Sequence, residues 1–312
     1  MIVDLLLVAL GLGFLVVGGD YLVRGAVALA LRLGIAPVIV GLTVLAFGTS
    51  APELIVSVAA AVGGKPGIAL GNVVGSNIAN VLLILGATAL IAPILSREQE
   101  LNKALLYAVL ASILLIVLCW FGPLRWWHGV ILLSGLALTL LLQLRSARAG
   151  RGEAPDMDMP VRTVAMRVIL FWLALGLVAL PVGAQLLVRG ASDIASSFGI
   201  SDAVIGLTLV AVGTSLPELA ASVASALKGR ADMALGNVIG SNLFNILAIM
   251  GITAFFGPLP VPAQMLRVDL WVMLATTLLI APFLLRGIAI GRLAGAGLVA
   301  LYAGYAAWLL AA

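Results

Sequence analysis

A carboxylate in the middle of an apolar run is the first group in this sequence that could do chemistry. Glu53 follows Thr49, Ser50 and Pro52 in GTSAPEL, and the stretch from Gly41 to Gly86 around it is mostly apolar. Thr49 and Glu53 stand i, i+4 and Ser50 and Glu53 stand i, i+3, so on a helix two hydroxyls and a carboxylate share one face. Asn72, Ser76 and Asn80 then recur every four residues, a stripe of amide and hydroxyl oxygens. The same set returns later as Thr214, Ser215, Glu218, Asn237, Ser241 and Asn245. Every one of these groups offers oxygen, which suits calcium or sodium and disfavours zinc or copper, whose preferred partners are histidine and cysteine. Pro52 has no N–H, so the carbonyl of Gly48 loses its intrahelical partner and the helix should break or kink there; Pro217 does the same to Gly213.

These residues also have a plainer use. GNVVG and GNVIG, beginning at Gly71 and Gly236, fit the small-residue spacing that lets apolar helices pack closely, and Ser or Asn can bond across helices. Taken singly, Asn72, Ser76 or Asn80 reads equally as a packing residue or as a ligand. Glu53 and Glu218 differ, because a structural carboxylate in hydrocarbon would need a basic partner in its span and neither span contains one. They are read as functional.

The elements that must position these groups follow from composition. Of 312 residues, 63% are hydrophobic and 10% charged, with a mean hydropathy of +1.24. A typical soluble domain carries about 25% charged residues. The expected fold class is an all-α polytopic membrane protein, its apolar runs near the ~20 residues needed to cross a bilayer as a helix. Ten spans are expected, at about 3 to 23, 37 to 62, 68 to 92, 104 to 121, 127 to 144, 168 to 188, 203 to 227, 233 to 256, 270 to 285 and 288 to 310. The N-terminus lacks the positive region of a cleaved leader and is read as the first span.

Sliding the chain against itself exposes a duplication. Gly41 aligns with Gly206 at an ungapped offset of 165 residues, which also pairs GTSAPEL with GTSLPEL and ALGNVVGSNIAN with ALGNVIGSNLFN. LVRGA at Leu22 matches LVRGA at Leu187 by the same offset. The organisation is thus a first five-helix repeat over 1–144, a cytoplasmic linker over 145–167 and a second repeat over 168–312. An odd number of spans per repeat inverts the second copy across the membrane plane. With both termini outside, thirteen Lys and Arg fall in cytoplasmic loops against four outside, in accord with the positive-inside rule.

Other polar residues carry less. The basic residues are scattered singly despite a pI near 9.6, which argues against a nucleic-acid partner. Cys119 is the single cysteine, so no intrachain disulfide is possible. Asp20 is one turn from Arg24 and reads as an interfacial ion pair, and His128 stands alone beside Trp126 and Trp127, which with Trp120 read as an interfacial aromatic belt. Glu153, Asp156 and Asp158 read as a solvated loop or a weak regulatory cation site. Neither an obligatory protein partner nor a cofactor loop is evident, and no nucleophile, base and orienter set points to an enzyme.

The paired GTSxPEL and GNVxGSNxxN motifs resemble the alpha-repeats of the sodium/calcium exchanger family, within the calcium/cation antiporter superfamily. The resemblance covers both repeats and fits the ten-span plan. It implies that Glu53 and Glu218 carry the cation, with the hydroxyls of Thr49, Ser50, Thr214, Ser215, Ser76 and Ser241 and the side chains of Asn80 and Asn245 around it. It further implies sodium ligation by the backbone carbonyls of Ala46 and Ala211, and a tilted pair of spans one and six that slides past the other eight. Some prokaryotic members and the potassium-dependent branch have aspartate where this chain has Asn80 or Asn245, which argues against potassium dependence here.

The implied function is a secondary antiporter exchanging Na+ for Ca2+ by alternating access in the bilayer of a prokaryotic inner membrane. Two carboxylates would be neutral with one calcium and would carry one net positive charge with three sodium ions, so a three-to-one exchange is electrogenic. The alternative keeps the fold and couples Ca2+ to H+, since a membrane carboxylate can bind a proton. The proton-coupled branch usually shows GNxxE, whereas here the glutamates follow GTSxP. A passive channel fits less well, because an inverted internal repeat builds two interconvertible states around one site.

Overall fold

The computed structural model describes residues 2–95, 98–149, 164–198 and 211–311, and among these the regular elements are all helical. The helices are α1 (Ile2–Leu33), α2 (Pro37–Thr49), α3 (Ala51–Val62), α4 (Pro66–Ile91), α5 (Gln99–Trp120), α6 (Trp126–Ala149) and α7 (Met166–Ser197). After a short stub at Ala211–Gly213 come α8 (Leu216–Leu227), α9 (Ala231–Phe256), α10 (Met265–Leu285) and α11 (Arg292–Ala311). Seven described helices are long and apolar enough to cross a membrane, or eight with the α2–α3 pair, which bends by 43° at its break.

Polarity sorts the helices. In α9 and α4, the two that carry the amide stripes, 89% and 72% of the most apolar 18-residue window is buried, against 22% in α1. The polar helices occupy the centre and the plain apolar ones face outward. This reverses the soluble pattern, because lipid accepts leucine and rejects asparagine.

The duplication is visible in the turns. Gly64 and Gly229, related by the 165-residue offset, both adopt left-handed backbone (φ 69° and 70°) and end α3 and α8. Two bridges then tie the halves: Ile94 exchanges backbone bonds with Ile290 (3.1 and 2.8 Å), and Leu124 with Leu259 (3.0 and 2.8 Å).

α1 and α7 run antiparallel along a seam of glycines. Gly11, Gly18 and Gly25 recur every seven residues, and so do their counterparts Gly176, Gly183 and Gly190. A Cβ on Gly11 would meet Gly183 O at 2.7 Å, one on Gly176 would meet Gly18 O at 2.8 Å, and one on Gly190 would meet Asp4 O at 2.6 Å. The backbones can approach this closely only because those side chains are missing.

Several boundaries differ from the sequence expectation. α1 continues ten residues past the expected end at 23, because Arg24 pairs one turn back with Asp20 (Nε–Oδ2 2.7 Å) and the helix stops only at Gly34, at φ 65°. α7 likewise outruns the expected 168 to 188, and α10 starts five residues early, through a π-helical turn over Met265–Asp269. α11, which falls where the tenth span is expected, starts at Arg292 rather than 288. Asp20 also has a second partner, Lys228 on the turn after α8 (2.6 Å), which links α1 to the second half. His128 is buried: its ring stacks on Trp127 and its Nδ1 accepts from the Arg125 N–H at 2.9 Å. Arg97, most of the 145–167 linker with Glu153, Asp156 and Asp158, and the start of the seventh span lie outside the described residues.

Candidate cation site

Two helix starts meet at the centre. Ser50 and Ser215 precede α3 and α8 with nearly the same non-helical backbone (φ −82°, ψ 4° and φ −90°, ψ 5°), and Pro52 and Pro217 occupy the first turn, where a missing N–H costs nothing. Glu53 and Glu218 are then the third residues of their helices, where the exposed N–H groups of a helix start favour negative charge. Each carboxylate is 1% exposed. Among the described residues neither has a basic partner.

The halves bond to each other reciprocally. Ser50 Oγ donates to Glu218 Oε1 at 3.0 Å, and Ser215 Oγ donates to Glu53 Oε1 at 3.3 Å. Behind each glutamate an asparagine holds the backbone. Asn72 Nδ2 donates to Glu53 O (3.1 Å) and Ser57 Oγ (2.9 Å), while Asn237 Nδ2 donates to Glu218 O (3.2 Å) and Ser222 Oγ (3.0 Å). Thr49 Oγ1 approaches Asn237 Oδ1 at 3.3 Å and Ser241 Oγ at 3.5 Å. Asn72 and Asn237 therefore act as brackets that fix the glutamate backbones.

What remains is a set of oxygens without partners. Glu53 Oε2, Glu218 Oε2, Asn80 Oδ1 and Asn245 Oδ1 are buried and make no hydrogen bond within the protein. Uncompensated buried polar atoms cost roughly 1–3 kcal/mol each, and more when charged. Buried oxygen acceptors and two carboxylates are the kind of groups a hard cation takes as ligands. The backbone is shaped to match: π-helical turns span Asn80–Leu85 and Phe244–Ile249, so Asn80 opens one and Asn245 is second in the other. Such turns recur at functional sites because the extra residue re-aims its neighbours.

The sequence-derived residues distribute as follows. Thr49, Ser50, Glu53, Ser215, Glu218, Ser241, Asn80 and Asn245 are buried and belong to helices that meet at the centre, and Ser76 is buried on the α4 stripe. Thr214 lies at the break before α8. Ala46 O is already used by Ser50 N (3.1 Å) and Thr49 Oγ1 (3.4 Å), and Ala211 opens the helical stub before α8. Ser57, Ser222 and Asn242 were missed from the sequence. The signal for the two serines was their place one turn after each glutamate, repeated at the 165-residue offset.

A family model described as sodium/calcium exchanger protein matches residues 3–145 and 168–311. The chain belongs to the sodium/calcium exchanger family. It is 35% identical to the sodium/calcium exchanger MaX1 of Methanosarcina acetivorans, over 97% of each chain. Among solved structures it resembles the sodium-calcium exchanger NCX_Mj soaked with zero Na+ and Ca2+, with a TM-score of 0.85 and 36% identity over 99% of each chain. The same exchanger soaked with 2.5 mM Na+ and 1 mM Sr2+ matches equally well, at a TM-score of 0.85. The matched proteins are exchangers, and this member of the family is an integral membrane protein with a cation antiporter fold.

Proposed function

We propose that this chain exchanges Na+ for Ca2+ by alternating access, with Glu53 and Glu218 carrying the cation. The reciprocal Ser50–Glu218 and Ser215–Glu53 bonds carry this reading, because they bring both carboxylates, one from each half, to one place. Thr49, Ser50, Ser76, Asn80 and their counterparts Thr214, Ser215, Ser241 and Asn245 complete the ligand set, and the carbonyls of Ala46 and Ala211 add sodium ligands once the helix breaks open. No covalent chemistry is required. Transport needs a site that both ions fit and a scaffold with two states.

The scaffold is ten spans in two inverted repeats of five, 1–144 and 168–312, joined by a cytoplasmic linker over 145–167. The thirteen-to-four bias in Lys and Arg supports termini outside and insertion in a prokaryotic inner membrane. The glycine seam supports α1 and α7 as the moving pair, since a surface without side chains offers little to interlock. Against two carboxylates, one calcium is neutral and three sodium ions leave one net positive charge, so each cycle couples to voltage at ~2.3 kcal/mol per 100 mV.

The test is calcium uptake into proteoliposomes driven by an imposed sodium gradient. Uptake that rises with inside-negative potential during sodium exit, or absence of any sodium-driven uptake from well-folded protein, would each overturn part of this reading: the first its charge balance, the second its coupling ion. Proton coupling is the second reading, favoured by Oε2 of each glutamate being as open to a proton as to a metal. Uptake driven by a pH gradient without sodium would establish it instead.

A further inference from the structure

The two halves of the site share the bonds that hold the glutamates and differ at the amides behind them. Asn72 and Asn237, like Ser50 and Ser215, make equivalent contacts. Asn77 and Asn242, also related by the 165-residue offset, do not. Asn77 Nδ2 turns back to Val73 O on its own helix at 2.7 Å, whereas Asn242 Nδ2 crosses to the other half and donates to Asn77 O at 3.3 Å.

That crossing bond settles which way two amides face. A backbone carbonyl can only accept, so the atom of Asn242 facing Asn77 O is its nitrogen. The Asn242 oxygen is thereby turned to Asn80, and accepts from Asn80 Nδ2 at 2.9 Å. The atom left over on Asn80 is its oxygen, which is buried and makes no hydrogen bond. Asn245, the counterpart of Asn80, has no such tether: neither its nitrogen nor its oxygen is bonded.

We infer that Asn242 is a positioning residue that presets Asn80 as an oxygen ligand, so that the two amide ligands of the site are inequivalent, Asn80 locked oxygen-first and Asn245 free to turn. A cation entering the site finds one carbonyl already aimed and must itself select the orientation of the other. Residues behind a ligand commonly alter metal affinity by 10–100-fold when removed, through this loss of preorganisation. The inference rests on the reading of Asn80 as a ligand under the proposed function.

The test is calcium binding by titration calorimetry on the purified full-length protein, which needs no coupling ion. Asn242→Leu is expected to raise the calcium Kd about tenfold. In an Asn80→Asp background both outer atoms of residue 80 are oxygens, so its orientation no longer matters and the Asn242 oxygen faces an acceptor in place of a donor; there Asn242→Leu is expected not to raise Kd. A structural role would weaken both backgrounds equally, and that result would overturn the inference, as would an unchanged Kd in the wild-type background. Asn242→Ala supplies the same cycle should the leucine variant not fold. Wild-type protein that binds no calcium would sink the proposed function and this inference together, whereas calcium binding without an Asn242 effect would sink the inference alone.

Discussion

Alanine at Gly11 and at Gly13 should have opposite consequences, though the two positions lie two residues apart on one helix. A Cβ at Gly11 would sit 2.6 Å from Leu187 N, 2.7 Å from Gly183 O and 2.8 Å from Leu187 Cβ, while one at Gly13 meets nothing within 4 Å. Ordinary contact begins at 3.4 Å, so at Gly11 the facing backbone must retreat by about 0.8 Å, and backbone has no rotamer with which to yield. Overpacking of this kind costs ~1–3 kcal/mol. Both substitutions gain the same helix propensity, up to ~1 kcal/mol, which cancels in the comparison. Gly11→Ala should therefore be less stable than Gly13→Ala by ~1–3 kcal/mol. Thermal midpoints in detergent, followed by tryptophan fluorescence, measure this directly. Initial rates of calcium uptake in proteoliposomes should fall for Gly11→Ala and stay unchanged for Gly13→Ala, because only the first touches the α1–α7 seam. Gly183→Ala offends the same contact, with Gly11 O at 2.8 Å, so its effect should add to that of Gly11→Ala by less than the sum. Equal midpoints for Gly11→Ala and Gly13→Ala would refute the close-packed seam.

Replacing Glu53 or Glu218 by Gln leaves one carboxylate to balance a divalent ion; losing one partner of a buried charge pair costs about 3–5 kcal/mol, or roughly two to four orders of magnitude in affinity. Uptake should vanish from each variant while gel-filtration behaviour stays that of the wild type, and retained uptake would remove that glutamate from the site. Glu98, before α5 and outside the spanning segments, has its carboxyl held above the ordinary range by partial burial and then by the Asp232 carboxylate, with Arg230 opposing. Such an acid binds its proton more tightly folded than unfolded, so folding stability falls as pH rises from the ordinary carboxylate pKa to the raised one, and the penalty is complete above it. Glu98→Gln should accordingly raise the thermal midpoint near neutral pH and have no effect well below pH ~4; a gain that persists in acid would contradict this.

Much of the site was legible because membranes make polarity conspicuous. A glutamate in an apolar span needs a reason, and Glu53 and Glu218 supplied theirs by recurring at a fixed offset behind the same proline. The helix breaks at Ser50 and Ser215 followed from Pro52 and Pro217 by local sterics alone. Helix ends were less legible: α1 runs on to Leu33 because hydropathy marks the edge of the lipid and not the end of hydrogen bonding. The glycine seam had a visible signal, the spacing of seven in both copies, but a smooth face acquires meaning only from the backbone pressed against it.

By itself, then, the sequence determined the all-helical membrane class, the duplication, and the presence of two carboxylates among oxygen-only side chains, since each is a matter of composition or of spacing along one helix. Tertiary structure decided which hydroxyl serves which glutamate, that Asn72 and Asn237 hold backbone, and that Asn242 alone reaches across to Asn80. Ser50 and Glu218 are 168 residues apart, and no local periodicity reports a contact at that distance. The asymmetry between Asn77 and Asn242 is further still from the sequence. Both are asparagines in the same GSN motif, and only the packing of the opposite half determines which carbonyl each amide can reach.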